Sequence, residues 1–450
     1  MIGSWWKWPG REVGRVSVMP ARSIWIGALV LLVVAAVSMW TLLALFGAGS
    51  PQDKVRLEII KLAGGIVVGT GGAAALLLAA RRQRATELQL AQNERDLAQK
   101  ERAADDARHD AVERRITELY SSAAEQLGSD KAPVRLAALH ALERLAQDNP
   151  GHRQTVVDLL CAYLRMPFAN PDTTGAEERD EQRQELQVRL TAQRLLTAHL
   201  RPGADSKFWA DMDLDLTGAM LVTWGMEACR IRSALFDGAV FSRDASFRQV
   251  EFGGAASFRK ARFRGAASFD GARFHERAGF GEVEFLGEVS CRTAEFDGAV
   301  SFDESVFHDP ASFSEGKFSG TCSFRQVDFR DVISFREVEF GDAASFGDAE
   351  FRCGASFAGA HFQDTASFGL ARFQGTTSFC EAEFWDVPWF DQAQLEELDL
   401  SEAWTLAPDR ATDQDWLRRF PRWRLVDGEV PDEQQRRWWR FVPDTREVAD

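Results

Sequence analysis

The stretch Ala255-Ala256-Ser257-Phe258-Arg259-Lys260-Ala261-Arg262-Phe263-Arg264-Gly265 is one copy of the unit that decides the fold of this chain. From Phe236 to Phe390 a phenylalanine recurs at spacings that alternate between five and six residues, and a fixed period of 11 indicates a solenoid. Ladder positions one unit apart are Phe236, Phe247, Phe258, Phe269, Phe280, Cys291, Phe302, Phe313, Phe324, Phe335, Phe346, Phe357, Phe368, Phe379 and Phe390. A second set lies five residues after each of these, from Phe241 to Phe384.

The residues around each phenylalanine alternate between apolar and polar. In the unit above, Ala256 and Phe258 are apolar and Ser257 between them is polar, which over three residues is typical of a short strand with one buried face. Glycine, aspartate, arginine and glutamine between these strands are suited to corners. Before Phe236 the ladder continues with plain five-residue spacing, at Leu216, Leu221, Met226 and Ile231.

This pattern resembles the pentapeptide-repeat family over residues 214–406. The resemblance implies a right-handed, four-sided parallel β-helix in which each side of a coil has five residues. Here two pairs of five and six residues make a 22-residue coil with four phenylalanines. The resemblance specifies the fold and leaves the function open, because the repeated residues are scaffold.

Charge is distributed unevenly along the predicted solenoid. The whole chain has a net charge of −15. Residues 214–277 contain 10 basic and 7 acidic residues, whereas residues 278–400 contain 7 basic and 24 acidic residues. A 22-residue coil places two columns of outward charge on opposite faces. The candidate interaction surface consists of Glu251, Arg273, Glu295, Lys317, Glu339 and Glu383, and the opposite column consists of Arg262, Glu284, Asp328, Glu350 and Arg372. Solvated ion pairs are the simpler interpretation of both columns.

The N-terminal part predicts a membrane anchor. A basic segment, residues 1–22, precedes 27 uncharged residues at 23–49, and a second apolar stretch follows at 59–80. Each is long enough to span a bilayer, which requires about 20 residues. Basic residues before the first stretch and after the second predict cytoplasmic N- and C-termini. A signal peptide is the alternative for the first stretch.

Small residues at four-residue spacing, Gly65, Gly69 and Ala73, mark one side of the second stretch. They predict packing against the first span or against a second copy of the chain, and a glycine-tolerant span without a partner is the alternative.

Three further segments complete the chain. Residues 81–127 predict a charged stalk helix, either solvated or in a coiled coil, so that the spans or the stalk could form a homo-oligomer. Residues 128–203 predict a helical module that covers the first coil; Val134 to Leu145 resembles a helix of a HEAT-like repeat, with Ser129 or Asp130 as the N-cap and Pro133 in the first turn. Residues 407–450, rich in tryptophan and arginine, predict a cap over the last coil or a surface for a partner.

No arrangement of residues predicts catalysis. The seven histidines lack metal-ligand spacing, and the outward serines have no neighbouring base, so the sequence predicts a protein that is not an enzyme and has no metal or cofactor. The six cysteines lack disulfide spacing, and Cys229, Cys291 and Cys322 fall at positions expected to be buried.

Two functions of different classes remain. The first is a membrane-anchored scaffold held in the lipid bilayer by residues 23–80, with a cytoplasmic β-helix that binds an unidentified cytoplasmic protein. The alternative follows from the family resemblance: some pentapeptide-repeat proteins imitate DNA and engage DNA gyrase or topoisomerase, and aligned carboxylates can imitate phosphates. The acidic face disfavours direct binding to nucleic acid.

Overall fold

The computed structural model describes residues 21–46, 53–168, 179–203, 207–386, 388–406, 423–427 and 438–443. The chain divides into two units, Met1–Glu113 and Arg114–Asp450. The described helices are α1 (Ala21–Phe46), α2 (Asp53–Leu127), α3 (Ala132–Asp148), α4 (Arg153–Arg165) and α5 (Arg179–Leu200), with a 3₁₀ turn at Pro150–His152. All described strands lie in the second unit.

The first unit contains α1 and most of α2. Among the described residues, one helical stretch, Lys61–Leu127 of α2, contains a window long and apolar enough to cross a membrane, and α1 contains a shorter apolar stretch, Trp25–Ser38. This criterion considers length and composition alone, and a soluble core helix or a signal sequence also meets it. The second predicted span and the predicted stalk belong to one continuous helix, while the end of the first predicted span, residues 47–49, lies outside the described residues.

The second unit contains the end of α2, helices α3–α5 and a parallel β-solenoid of about nine coils. We number its faces in chain order within a coil, so that Ser257 lies on face 1, Arg262 on face 2, Ser268 on face 3 and Arg273 on face 4. Face 1 comprises Asp213–Asp215, Ser233–Leu235, Ala256–Ser257, Ala278–Gly279, Val300–Ser301, Cys322–Ser323, Ala344–Ser345 and Ala366–Ser367. Face 2 comprises Met220–Leu221, Val240–Phe241, Arg262–Phe263, Glu284–Phe285, Val306–Phe307, Asp328–Phe329 and Glu350–Phe351. Face 3 comprises Trp224–Gly225, Ala245–Ser246, Ala267–Ser268, Val289–Ser290, Ala311–Ser312, Ile333–Ser334 and Ala355–Ser356.

Faces 2 and 3 join in the last coils through the longer strands Arg372–Ser378 and Gln394–Asp399. Face 4 comprises Arg230–Ile231, Glu251–Phe252, Arg273–Phe274, Glu295–Phe296, Lys317–Phe318, Glu339–Phe340, His361–Phe362, Glu383–Phe384 and Trp404–Leu406. Register between neighbouring coils is 22 residues from Val240 to Phe373, as in the pairing of Arg262 with Glu284. It shortens to 21 residues in the last coil, where Glu383 pairs with Trp404. The predicted coil length is therefore confirmed.

The phenylalanine ladder forms the core. The rings stand in four columns, one behind each face, and ring centroids in a column lie 4.3 to 5.3 Å apart. Rings of opposite columns meet edge to face, as Phe247 behind face 3 and Phe258 behind face 1 do at 5.3 Å. Cys291 occupies its ladder position and is buried, which interrupts the column between Phe269 and Phe313.

The two kinds of corner differ in backbone conformation. At a five-residue side, the third residue after a phenylalanine donates its N–H to the carbonyl of that phenylalanine, as Ala261 does to Phe258 at 3.0 Å. The residue before the donor has a positive φ, 58° at Lys260, which is the arrangement of a type II turn. At a six-residue side, neighbouring coils approach closely, and a methyl group added to Gly298 would lie 2.5 Å from the carbonyl carbon of Glu276.

The helical module covers the first coil. Helix α4 packs against the first strands, and the side-chain amide of Gln154 pairs with the backbone of Asp213 in both directions, each at 2.9 Å. Arg165 forms an ion pair with Asp215. The residue before α3 is Lys131, whose side chain makes no capping bond, so the predicted N-caps Ser129 and Asp130 are wrong. The helix starts at Ala132 with Pro133 in its first turn, so residues 129–130 lie before the cap position.

A buried polar network stabilises the module. His199 stacks on Trp209 at a centroid distance of 4.0 Å and lies 2.9 Å from Glu143. Burial raises the pKa of Glu143, but hydrogen bonds with His199 and His140 outweigh burial and lower it. These contacts connect α3 and α5 to the chain that enters the solenoid.

The described parts of the tail extend face 4 beyond the last coil. The strand Trp438–Pro443 pairs antiparallel with Trp404–Leu406 and with Trp423–Asp427. The indole N–H of Trp423 donates to the carbonyl of Leu398 at 3.2 Å. The remainder of the segment 407–450 lies outside the described residues.

Candidate interaction surface

Face 4 carries a column of outward side chains whose charges alternate. We call it the charged column; its members are Arg230, Glu251, Arg273, Glu295, Lys317, Glu339, His361 and Glu383. Each member directly precedes an inward ladder residue, so strand alternation points it to solvent. The six residues predicted from the sequence all lie in this column, and the structure adds Arg230 and His361. When His361 is protonated, basic and acidic residues alternate along the whole charged column.

Neighbouring members form ion pairs between coils. Arg230 contacts Glu251 at 2.8 Å and Arg273 contacts Glu295 at 3.2 Å. Lys317 lies 3.7 Å from Glu339, and His361 lies 2.9 Å from Glu383. Every member retains between 35 and 57% of its side-chain exposure, so the charged atoms remain available to a partner. Exposed pairs of this kind contribute little to stability, about 0–1 kcal/mol each.

Two pKa shifts follow from these contacts. Burial is the largest effect on Glu251 and raises its pKa, but Arg230 and His275 together outweigh it and lower the pKa. The hydrogen bond with Glu383 raises the pKa of His361 against the effect of burial, which lowers it. These contacts therefore favour the ionised carboxylate of Glu251 and the protonated imidazole of His361.

A shallow notch interrupts the corner between faces 3 and 4. Gly271 lies there between larger residues of the neighbouring coils, and the notch encloses about 390 Å³. Its lining residues are Gln249, Glu251, Gly271, Arg273, Thr293 and Glu295. The notch therefore opens beside three members of the charged column.

Face 2, opposite face 4, has charge without alternation. Its outward residues include Val240 and Val306 among the predicted charges, and Asp328 and Glu350 are consecutive. Arg352 bridges these two carboxylates, at 2.6 Å from Asp328 and 2.9 Å from Glu350. Burial raises the pKa of Asp328, but Arg352 and Arg330 outweigh it and lower the pKa. Face 2 therefore has paired charges, as face 4 does, but lacks the regular alternation of face 4.

Faces 1 and 3 display serine instead of charge. Several serine hydroxyls donate to an aspartate of the preceding coil, as Ser290 does to Asp270 and Ser323 does to Asp303, both at 2.5 Å. These hydrogen bonds connect successive coils. These serines thus have a structural role.

The histidines of the solenoid also bind carboxylates. His275, at the edge of face 4, lies 2.8 Å from Asp297 and 3.4 Å from Glu251. His308, beside face 2, lies 3.5 Å from Glu284. In the described residues no group of three or more histidine, cysteine, aspartate or glutamate side chains has a geometry that could hold a metal ion.

Four cysteines are buried among apolar residues: Cys161, Cys229, Cys291 and Cys322. Burial raises the pKa of Cys161 to about 12 and that of Cys229 to about 11, and it raises the pKa of Cys291 and Cys322 still further. At neutral pH these thiols are protonated and unreactive.

The small-residue stripe of α2 has open space beside its two glycines. A methyl group added to Gly65 or Gly69 would meet no atom within 4 Å, and Ala73 is half-buried. The stripe thus has room for another helix, and its predicted packing role stays a prediction.

The comparisons with known proteins agree with this architecture. Overlapping segments at residues 247–295, 292–338, 325–371, 335–382 and 357–404 match the model of a family described as pentapeptide repeats (9 copies). The search of curated proteins and the search of solved structures give no significant match. Matched repeats, phenylalanine columns and 22-residue register coincide in the same part of the chain. The solenoid is therefore a pentapeptide-repeat β-helix.

Proposed function

We propose that this protein is a membrane-anchored scaffold without a catalytic site, whose β-helix binds a cytoplasmic protein through face 4. The observation that carries this proposal is the charged column, eight exposed side chains in fixed register on one flat face. Pentapeptide-repeat solenoids typically serve as scaffolds or interaction modules, which supports the same assignment.

Rigidity makes such a face suitable for recognition. The stacked phenylalanine columns and the regular hydrogen bonds between coils hold each strand at a spacing of about 4.8 Å. A surface that is already ordered loses little conformational entropy on binding. Charges at fixed intervals then select a partner with complementary charges at the same intervals.

The anchor is supported by composition and by the helical stretch in α2. We assign spans to residues 23–49 and 59–80, with both termini and the β-helix in the cytoplasm, because basic residues precede the first span and Arg81, Arg82 and Arg84 follow the second. Gly65, Gly69 and Ala73 then face another span or a second copy. An alkaline phosphatase reporter tests this topology: we expect activity when it is inserted at residue 54 and none at the C-terminus. Activity at the C-terminus would contradict it.

Crosslinking followed by affinity purification and mass spectrometry tests the scaffold function. The full chain is compared with a deletion of residues 214–405, with a face 4 variant (Glu295→Lys and Glu339→Lys) and with a matched face 2 variant (Glu284→Lys and Glu350→Lys). We expect the specific partners to disappear with the deletion and with the face 4 variant and to persist with the face 2 variant. Partners that persist after the deletion would overturn the proposal and direct attention to residues 128–203.

A second function, imitation of DNA toward DNA gyrase or topoisomerase, is favoured by one observation. Carboxylates follow the corner between faces 3 and 4 in the later coils, at Glu315, Glu337, Glu381 and Glu402. A supercoiling assay with excess protein tests it. Inhibition that is lost when these four residues become glutamine supports imitation, and unchanged supercoiling rejects it.

A further inference from the structure

The alternation in the charged column makes face 4 complementary to itself. The column has eight members, and its midpoint falls between Glu295 and Lys317. A twofold axis through this midpoint, perpendicular to the column and parallel to the face, brings face 4 of a second copy onto the first with the column reversed. Such an isologous contact closes as a dimer.

This operation pairs every member with a residue of opposite type. Glu295 meets Lys317 of the second copy, and Arg273 meets Glu339 of the second copy. Further out, Glu251 meets His361 of the second copy, and Arg230 meets Glu383 of the second copy. Each contact occurs twice by symmetry. We propose that face 4 binds a second copy of this chain in this antiparallel arrangement. The inference rests on the proposed function, in which face 4 is the interaction surface, and specifies the partner.

Other arrangements of the same two faces are less favourable. Parallel columns in register place each charge opposite itself, and a twofold axis that passes through a member places like charges together. Parallel columns shifted by one coil match the charges, but this contact does not close and would continue into an open assembly. The antiparallel arrangement about the column midpoint is the one that matches all eight members and closes.

The corner beside the column fits the same arrangement. Acidic corner residues of the later coils, Glu315 and Glu337, come opposite Thr293 and Gly271 of the second copy, which have no charge. Glu337 is well exposed, and in this arrangement it lies opposite the notch at Gly271 of the second copy, where Arg273 of the second copy lines the wall. The notch offers space and a cation at the position where the second copy offers a protruding carboxylate.

Face 2 does not have this property. Its two consecutive carboxylates, Asp328 and Glu350, break any alternation, and a twofold axis at its middle, between Val306 and Asp328, brings Glu284 opposite Glu350 of a second copy. Face 2 thus provides matched control substitutions on the same solenoid.

Charge reversal with rescue tests the contact. The full chain in detergent is measured by sedimentation over a range of concentrations. We expect Glu339→Lys and Arg273→Glu each to raise the dimer dissociation constant about tenfold or more, and the double variant to restore it. Rescue is specific to the contact between copies. Within one chain, Glu339→Lys places a lysine beside Lys317, and Arg273→Glu places a glutamate beside Glu295. The double variant therefore removes no repulsion inside the chain and restores only the pairing with the second copy. Glu284→Lys on face 2 should leave dimerisation unchanged. Failure of the double variant to recover, while Glu284→Lys dimerises normally, would overturn the proposal.

A disulfide test fixes the orientation and remains decisive if the membrane helices also associate. Differently tagged chains with Arg230→Cys and Glu383→Cys, both also carrying Cys353→Ser and Cys380→Ser to remove the accessible native thiols, are mixed and oxidised. We expect a mixed disulfide between the two tags and little disulfide between identical tags. Disulfides between identical tags would indicate a parallel pair and contradict the antiparallel contact. If Glu339→Lys abolishes capture of a foreign protein while no mixed disulfide forms, face 4 retains its proposed interaction function and self-association is rejected.

Discussion

Corner residues are constrained differently on the five-residue and the six-residue sides of a coil. Five-residue sides require a positive φ, and residues as large as Leu370 and Thr293 adopt it there at an energetic cost. The six-residue sides at Gly298 and Gly320 instead leave no room for a side chain, because coils nearly touch there. Glycine is thus needed at some six-residue sides because there is no space for a side chain. At the five-residue sides larger residues adopt the positive φ, so glycine is not needed there.

The Gly298→Ala substitution tests the demand for space. Its methyl group would lie 2.5 Å from the carbonyl carbon and 2.6 Å from the carbonyl oxygen of Glu276, which are backbone atoms that cannot rotate away. We expect a loss of about 1–3 kcal/mol in the local stability of the coils concerned, measured by hydrogen exchange. Gly281→Ala is the control, because its nearest contact would be 3.6 Å. Equal protection in the two variants would contradict the close approach.

A second prediction at this scale concerns His361 and pH. Glu383 raises the pKa of His361, so in the folded state the imidazole remains protonated above its unfolded pKa of about 6.5. Its stabilising contribution is complete below that pH and is lost as the pH rises through the folded pKa. We expect His361→Gln to reduce exchange protection of Glu383–Phe384 at about pH 5.5 and to have little effect at about pH 9. His109→Gln in α2 is the control, and a pH-independent difference would refute the role of protonation.

At the scale of elements, the edge of the first coil is completed by a helix. A strand edge left open exposes unpaired N–H and C=O groups and can pair with other chains. The amide of Gln154 supplies one donor and one acceptor to Asp213, as a neighbouring strand would. One glutamine of α4 thereby imitates a peptide group.

Substitution of Gln154 by alanine tests this imitation. We expect a loss of about 1–2 kcal/mol from two unmet hydrogen bonds, observed as faster exchange of the Asp213 amide and of the strand Ser233–Leu235. Gln184→Ala, at an exposed position of α5, should have no such effect. Unchanged exchange at Asp213 in the Gln154 variant would indicate that water replaces the amide without cost.

At the scale of the whole molecule, the 11-residue period predicted the solenoid, its coil length and the ladder that fills it. The period also predicted most of the charged column, but Arg230 could not be found by it. The early coils have shorter sides, so Arg230 pairs with Glu251 across 21 residues, and a step of 22 leads to Cys229 instead. His361 lies at the expected step, but a pattern of formal charges does not include it, because histidine is charged only when protonated. The pairing of Gln154 depends on how the helical module docks, which no local pattern encodes.

The placement of tryptophan at the two ends of the solenoid has an optical consequence. Trp209 and Trp224 lie at the first coil, Trp385, Trp389 and Trp404 lie at the last coils, and no tryptophan or tyrosine lies between residues 225 and 384. Within the solenoid, intrinsic emission therefore originates from its two ends, and its long phenylalanine interior is almost dark. Opening of an end would change the emission while the interior remained intact, and an emission change would precede the loss of circular dichroism from the strands. Intrinsic tryptophan fluorescence of the solenoid therefore reports on its two ends, and unfolding of the phenylalanine interior must be followed by circular dichroism or hydrogen exchange.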